Sequence, residues 1–363
     1  MKTIILTGGG TGGHIIPNLS LIPLLKQHFE KIVYIGLNNS LESELLKLYP
    51  EVTFEGISTP KLSRDKFLKN ITLPFKLIKS INACKKILKK YKPQVIFSKG
   101  GFVSLPVCIA GKLLNLPVVS HESDLTLGLA NKIIYHCCTT FCTTFESTSK
   151  NLKKAVFTGS PIKSELFFPH PQKAYEISNL SPLRPTILFV GGSTGAQDLN
   201  QAVYNALPVL TKKYNVVHLT GKGKLNKNIT SPHYYQTEFV LNIQDFLSIS
   251  QVVVSRAGSN AICELLALKK PMLLIPLPKN ASRGDQIQNA NYFLKNGFAS
   301  VLYQNQLTTQ TLVDKIDLLL AKKSIYEKTF STHPQVNKLL NGTQNILTQI
   351  LKACNLTPPH KKQ

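Results

Sequence analysis

The segment TIILTGGGTGGHIIP (3–17) places a histidine, His14, at the end of a run of glycines. Gly8, Gly10 and Gly13 satisfy G-x-G-x-x-G, an apolar run at 4–6 precedes them, and a helix-compatible stretch follows. Glycine lets backbone come close to a ligand, and the N–H groups at the start of the next helix favour an anion or an oxygen-rich group. A dinucleotide loop also needs an acidic residue near the end of the second strand to hold ribose hydroxyls. Here that strand, KIVYIG (31–36), runs into Leu37, Asn38 and Asn39, and Glu42 and Glu44 come only on the helix beyond. A cofactor loop also has no need of His14, so the nicotinamide reading recedes. SKGGFVSLP carries a second glycine pair, Gly100 and Gly101, after another strand of the same half. Several such turns on one sheet edge suit a large phosphorylated ligand, although each by itself is also compatible with a plain tight turn.

The elements that must position these loops are legible as alternating strands and helices. TIILTG, KIVYIG, QVIFSKG, PVVSHE and KAVFTG are followed by TILFVGG, VVHLTG, QVVVSR and PMLLIP, with amphipathic segments between many of them. This alternation indicates βα units around parallel sheets. The opening theme returns in TILFVGGSTGAQDLN (186–200), again strand, glycine turn and helix. A proline-rich stretch, SPIKSELFFPHPQKAYEISNLSPLRP, separates the halves and reads as a linker with its lead-in. The fold class expected is therefore α/β, with two Rossmann-like domains facing each other across a cleft. Ligands of such sheets lie beyond the carboxyl ends of the strands, where both glycine loops fall.

Bulk properties bound the function. A chain of 363 residues with 43% hydrophobic and 17% charged residues can bury two cores. The formal charge of +24 points to anionic partners, or simply to lysine-rich usage, and no nucleic-acid module is recognisable. Seven cysteines without a signal-peptide pattern fit a reducing compartment. Cys137, Cys138 and Cys142 cluster beside His136 without a C-x-x-C pair and read as small buried hydrophobes. No stretch has the run of about 18 apolar residues that a spanning helix requires.

Four blocks in order carry a resemblance: GGTGGHIIP (9–17), GGSTGAQDLN (191–200), SRAGSNAICELLALKKP (255–271) and PLPKNASRGDQIQNA (276–290). Together they resemble the MurG family, peripheral bacterial glycosyltransferases of peptidoglycan synthesis. The resemblance runs from residue 1 to about residue 350. It implies the GT-B fold, with an N-terminal, acceptor- and membrane-facing domain at 1–163 and a UDP-sugar-binding domain at 164–340. A C-terminal helix, about 341–356, returns to the first domain. The implied reaction is inverting transfer of N-acetylglucosamine from UDP-GlcNAc to the C4 hydroxyl of the lipid-linked muramyl-pentapeptide, converting lipid I to lipid II in cell-wall biogenesis. A related diacylglycerol glycosyltransferase would share the UDP-sugar blocks and differ in acceptor. A catalytically idle homologue is the remaining class, against which His14, Glu264 and Gln286 argue.

Such a transfer benefits from a base near the acceptor hydroxyl and from stabilised charge on the leaving diphosphate. The resemblance assigns His14 to the acceptor hydroxyl or the sugar, with Thr11, Gly12 and Gly13 lining the same spot. It gives Ser193 to the diphosphate and the Ile243 backbone to uracil. Ser259 reads as the cap of a helix whose Glu264 takes the ribose hydroxyls, and Gln286, rather than Gln288, touches the sugar. Two blocks depart from the family pattern. HEQN becomes HESD (121–124), placing Asp124 where an amide could both donate and accept. GNP-R becomes GSPIK (159–163), so that Lys163 keeps the arginine's charge and loses its fork. Asp124 thereby becomes a second candidate base. No D-x-D occurs, which favours chemistry without a metal or other cofactor.

KFLKNITLPFKLIKSINACKKILKKYK (66–92) interleaves apolar residues and lysines. Ile78, Ile81, Ile87 and Leu88 can share a helical face ringed by Lys79, Lys85, Lys86, Lys89 and Lys90. That suits a helix resting on an anionic bilayer, or equally one packed on the sheet. The resemblance favours the former and a peripheral location on the cytoplasmic side of the cell membrane.

Overall fold

The computed structural model describes residues 2–60, 72–150, 152–192 and 195–355. The chain divides into two compact units, Met1–Ile162 with Lys338–Gln363, and Lys163–Asn337.

The first unit is built on seven strands: β1 (Thr3–Thr7), β2 (Lys31–Leu37), β3 (Val52–Ile57), β4 (Val95–Ser98), β5 (Val118–Glu122), β6 (Thr140–Thr143) and β7 (Ala155–Phe157). They form one sheet in the order β3-β2-β1-β4-β5-β6-β7, with every pairing parallel. β1 is buried along its whole length, as a parallel strand covered on both faces must be. Alternate residues supply the two faces. Ile4 and Leu6 pack with Tyr34, Phe97 and Val119, joined by Ile346, Leu347, Ile350 and Leu351 of the helix Gly342–Ala353. Ile5 faces the other way, with Val33, Ile96 and Val118, onto Cys84, Leu88 and Cys108. The C-terminal helix thus completes the core of the sheet that the N-terminus begins.

The second unit carries β8 (Thr186–Val190), β9 (Asn215–Leu219), β10 (Tyr234–Thr237), β11 (Ser250–Ser255), β12 (Met272–Leu274) and β13 (Ser300–Val301). Their order is β10-β9-β8-β11-β12-β13, again all parallel. In each sheet the strand order reverses direction beside the first strand, between β1 and β4 and between β8 and β11. Such switch points open a crevice at the carboxyl edge. The loops at 8–13 and 99–101 flank the first, and residues 191–192, 195–196 and 256–258 flank the second.

One local reading is corrected. Ser259 is not the cap of its helix, Ser259–Ala267: Gly258 takes the extended cap conformation and Ser259, buried, is the first helical residue. The helix Leu73–Tyr91 buries Ser80, Cys84 and Leu88, with Ile81 and Ile87 half-buried against the sheet. Of the apolar face expected there, only Ile78 is exposed, at 56%, joined by Phe75 at 76%. Positions 66–71 of that stretch lie outside the described residues. The clustered cysteines Cys138 and Cys142 are free and buried, and burial pushes their thiols up to about 11 and about 12. Among the described residues no three His, Cys, Asp or Glu side chains converge on a point that could hold a metal ion.

Candidate active site

In the first unit the site grows from β1. The strand ends in Thr7, the glycines follow, and the helix Gly12–Leu19 starts behind an extended Thr11. Gly8 and Gly9 are buried, while Thr11 and Gly13 are exposed and Gly12 and His14 half-buried. The loop is braced from below. The hydroxyl of Tyr34, in the middle of the neighbouring strand β2, donates to Gly8 O at 2.6 Å and accepts from Asn18 Nδ2 at 3.2 Å. Asn18 also donates to Thr7 O at 3.1 Å. Glu42, on the helix Leu41–Leu46, is buried and accepts from Leu37 N–H at 3.4 Å. A side chain at Gly9 would collide with its carboxylate, so this acid is a wedge under the glycine loop and not a ribose ligand.

The second loop of this site follows β4. Gly100 and Gly101 both adopt φ near +84°, a region costly for residues with a Cβ. Gly101 lies against the His14 ring, where a Cβ would sit 3.4 Å from Nε2. His14 Nδ1 donates to the Lys99 carbonyl oxygen at 3.1 Å. A carbonyl can only accept, so the proton of neutral His14 is on Nδ1 and Nε2 is the basic nitrogen.

The third loop follows β5. Glu122 is buried, and its carboxylate accepts from the backbone N–H of Asp124, the N–H of Gly128 and the Asn131 amide, each at 3.0 Å. It is the template for the loop that carries Asp124, itself half-buried. Next to it His121 is fully buried, and burial and the Lys99 charge hold its imidazole well below the usual histidine range. His14 and the Asp124 loop therefore both stand at carboxyl strand ends of one sheet.

In the second unit, Ser193 lies outside the described residues. Gly195, just beyond it in sequence, has a φ of +68°, and a Cβ there would strike the Thr220 carbonyl. Lys224 Nζ donates to Gly195 O at 3.3 Å. Asn200 donates to Thr220 O at 2.8 Å and accepts from His218 Nε2 at 3.0 Å, while His218 Nδ1 accepts from Tyr234 at 3.0 Å. His218 is thus fixed as a neutral ring, and burial pulls it down to about 3.

On the other side of the switch point, Arg256 donates to Ile275 O at 3.1 Å and to Gln304 Oε1 at 2.8 Å. Gln304 passes the contact on to Asp198 at 2.7 Å. Glu264 is half-buried in the second turn of its helix. Burial pushes its carboxyl up to about 7, opposed by the positive charge of Lys163, which lies in the same unit. Gln286, in the helix Asp285–Lys295, accepts from Leu277 N–H at 3.0 Å. Asn289 of the same helix donates to Ala257 O at 3.2 Å, tying it to the loop before Ser259. Gln288 is exposed, and Ile243 is the first residue of the helix Ile243–Ile249.

Several supporting residues carry no assignment from sequence: Tyr34, Asn18, Lys99, Glu122, Asn131 and His218. For Tyr34, Lys99, Glu122 and His218 the one visible signal is a polar residue inside an apolar strand or directly at its end; Asn18 and Asn131 lie on helices and carry none.

Two parallel-sheet units, each with glycine loops at its switch point, are the architecture of the GT-B fold. The N-terminal and C-terminal domain models of glycosyltransferase family 28 match residues 4–143 and 186–346. The chain belongs to this family and, within it, to the MurG family. A protein of Lachnospira eligens is 45% identical over 94% of this chain and 98% of its own length. One of Clostridium tetani is 44% identical over 97% and 98%. Both are named UDP-N-acetylglucosamine--N-acetylmuramyl-(pentapeptide) pyrophosphoryl-undecaprenol N-acetylglucosamine transferase. The crystal structure of Acinetobacter baumannii MurG shares the fold, with a TM-score of 0.74 at 22% identity over 97% of this chain and all of that one.

Proposed function

We infer that the chain transfers N-acetylglucosamine from UDP-GlcNAc to undecaprenyl-pyrophosphoryl-MurNAc-pentapeptide, lipid I, and so forms lipid II for peptidoglycan. The observation that carries this is near-full-length identity of 42–46% to proteins named for that reaction.

The residue roles proposed here are those the family resemblance implies. Nε2 of His14 takes the proton of the acceptor C4 hydroxyl as that oxygen attacks the anomeric carbon from the face opposite UDP. Thr11, Gly12 and Gly13 shape the same spot. Asp124, on the loop templated by Glu122, accepts from acceptor hydroxyls and is the alternative base. In the second unit Ser193 and the glycine-turn amides receive the departing diphosphate, aided by the helix that follows. Glu264 holds the ribose, Ile243 offers backbone to uracil, Ser259 and Gln286 contact the nucleotide sugar, and Lys163 supplies charge. No step requires a metal ion.

The acceptor is a lipid, and access to it explains the exposed Phe75 and Ile78 among Lys76, Lys79, Lys86 and Lys89. Lysines around an apolar pair suit the anionic cytoplasmic leaflet. Peripheral attachment is what the family resemblance implies; among the described residues no helix is long and apolar enough to cross a membrane.

The test is transfer of labelled sugar from UDP-GlcNAc to a short-chain lipid I analogue and, in parallel, to diacylglycerol. Product with the first acceptor only supports the assignment. Product with diacylglycerol only would move the enzyme to the related lipid glycosyltransferases.

A further inference from the structure

Lys99 is 1% exposed, among the largest fully buried side chains of the protein. Burying an ammonium costs several kcal/mol unless its surroundings compensate, and lysine is almost never found fully buried without such partners. Its surroundings here are specific. Nζ lies 2.8 Å from His121 Nδ1 and donates to the Ser123 hydroxyl. His121 Nε2 in turn donates to Gly159 O at 2.9 Å, so the imidazole is neutral with Nδ1 as acceptor. At its other end the same residue offers the carbonyl that His14 Nδ1 binds. One lysine therefore spans from the His14 loop after β1, through β4, to β5 and the Asp124 loop, and by way of His121 to the turn after β7.

The carbonyl that Lys99 presents belongs to the peptide that joins it to Gly100. Gly100 and Gly101, both at positive φ, give this segment little conformational preference of its own. The peptide is held on one side by Gly100 N–H donating to Ser98 Oγ at 3.1 Å. Lys99 N–H also donates to Thr7 O at 2.9 Å and Gly100 O accepts from Ser104 Oγ at 2.8 Å, and the clamped Lys99 side chain adds the anchor that reaches β5. We propose that Lys99 is a positioning residue for the transfer reaction: its buried ammonium, clamped by His121 and Ser123, aims the backbone carbonyl that fixes the ring and tautomer of His14. This deepens the proposed role of His14 as base and rests on it. Lys99 itself touches no substrate.

The test compares the parent with Lys99→Met, which keeps the length of the side chain and removes the charge, and with Ser123→Ala, which removes one clamp. Two readouts are taken: steady-state transfer, and ring-15N NMR of His14, identified by the signal that His14→Ala removes. In the parent, His14 shows the Nδ1–H form. In Lys99→Met, that form ceases to dominate and kcat falls by at least about tenfold, a loss in keeping with small misplacement of a catalytic group. KM for UDP-GlcNAc changes less than about twofold, since uniform donor binding is untouched. Ser123→Ala shifts both readouts in the same direction by less, and it carries the test if Lys99→Met does not fold. A folded Lys99→Met, or Ser123→Ala in its place, with the parent's His14 signals and kcat would overturn the proposal. A parent that shows the Nδ1–H form but transfers no sugar would instead sink the functional reading, leaving the link between Lys99 and His14 to be judged by the NMR alone.

Discussion

His14 Nδ1 and the carbonyl oxygen of Lys99 are 3.1 Å apart, 85 residues distant in sequence and brought together because β1 and β4 are neighbours at the switch point. The bond decides which nitrogen of His14 is basic. Asparagine can imitate the Nδ1 donor without supplying a base. His14→Asn should therefore keep the loop in place and still lose about 100-fold or more in kcat, the usual range for a general base. UDP-GlcNAc binding, followed by calorimetry, should be unchanged. An asparagine variant with near-parental turnover would transfer the base role to Asp124.

Tyr34→Phe removes the hydroxyl under the first glycine loop and leaves Gly8 O and the Asn18 amide each short of a partner. With both groups buried, the expected loss of stability is about 1–3 kcal/mol. Urea unfolding should show a lower midpoint with unchanged slope. A midpoint equal to the parent's would mean that the loop does not depend on this brace.

The sheets, their order of appearance and the glycine loops were legible because parallel strands buried on both faces leave continuous apolar runs such as TIILT and QVVVS. Strands β3, β6, β10 and β13 were not. They are edge strands or short, and Glu55, Thr140, Gln236 or a length of two residues hides them. The residues beneath the site were less legible still. Lys99 was visible within SKGG and Glu122 within HESD, yet the type alone says that such residues face solvent. Only the fold shows that one is enclosed by His121 and Ser123 and that the other collects three N–H groups. The amphipathic pattern at 73–91 was real, but periodicity does not say whether an apolar face meets a sheet or a bilayer. Cys84 and Leu88 meet the sheet.

Phe75 and Ile78 are the apolar residues left outside that contact. Replacing both with serine should reduce binding to vesicles containing phosphatidylglycerol by more than about tenfold, given about 1.5–3 kcal/mol for each large apolar side chain buried. Transfer to a water-soluble acceptor analogue should be unaffected. Vesicle binding that persists in the double variant would place the membrane contact elsewhere.

Glu264 titrates near 7 because burial outweighs the attraction of Lys163. Its folded pKa lies above the unfolded value, so its protonation favours the fold most below about 4.5, and that contribution is lost as pH rises through 7. A carboxylate that accepts from both ribose hydroxyls must be ionised, so UDP affinity should rise between pH 6 and 8. Glu264→Gln should bind UDP more weakly and flatten the part of this rise that exceeds the titration of UDP itself. Parallel pH profiles for parent and variant would remove Glu264 from the ribose.

The most direct measurement is transfer of labelled GlcNAc from UDP-GlcNAc to a short-chain lipid I analogue, with EDTA present, by the parent and by His14→Ala. Turnover by the parent in EDTA, with loss of about 100-fold or more in the variant, is the predicted result. A parent that binds no UDP-sugar and makes no product, or a variant as active as the parent, would contradict the account.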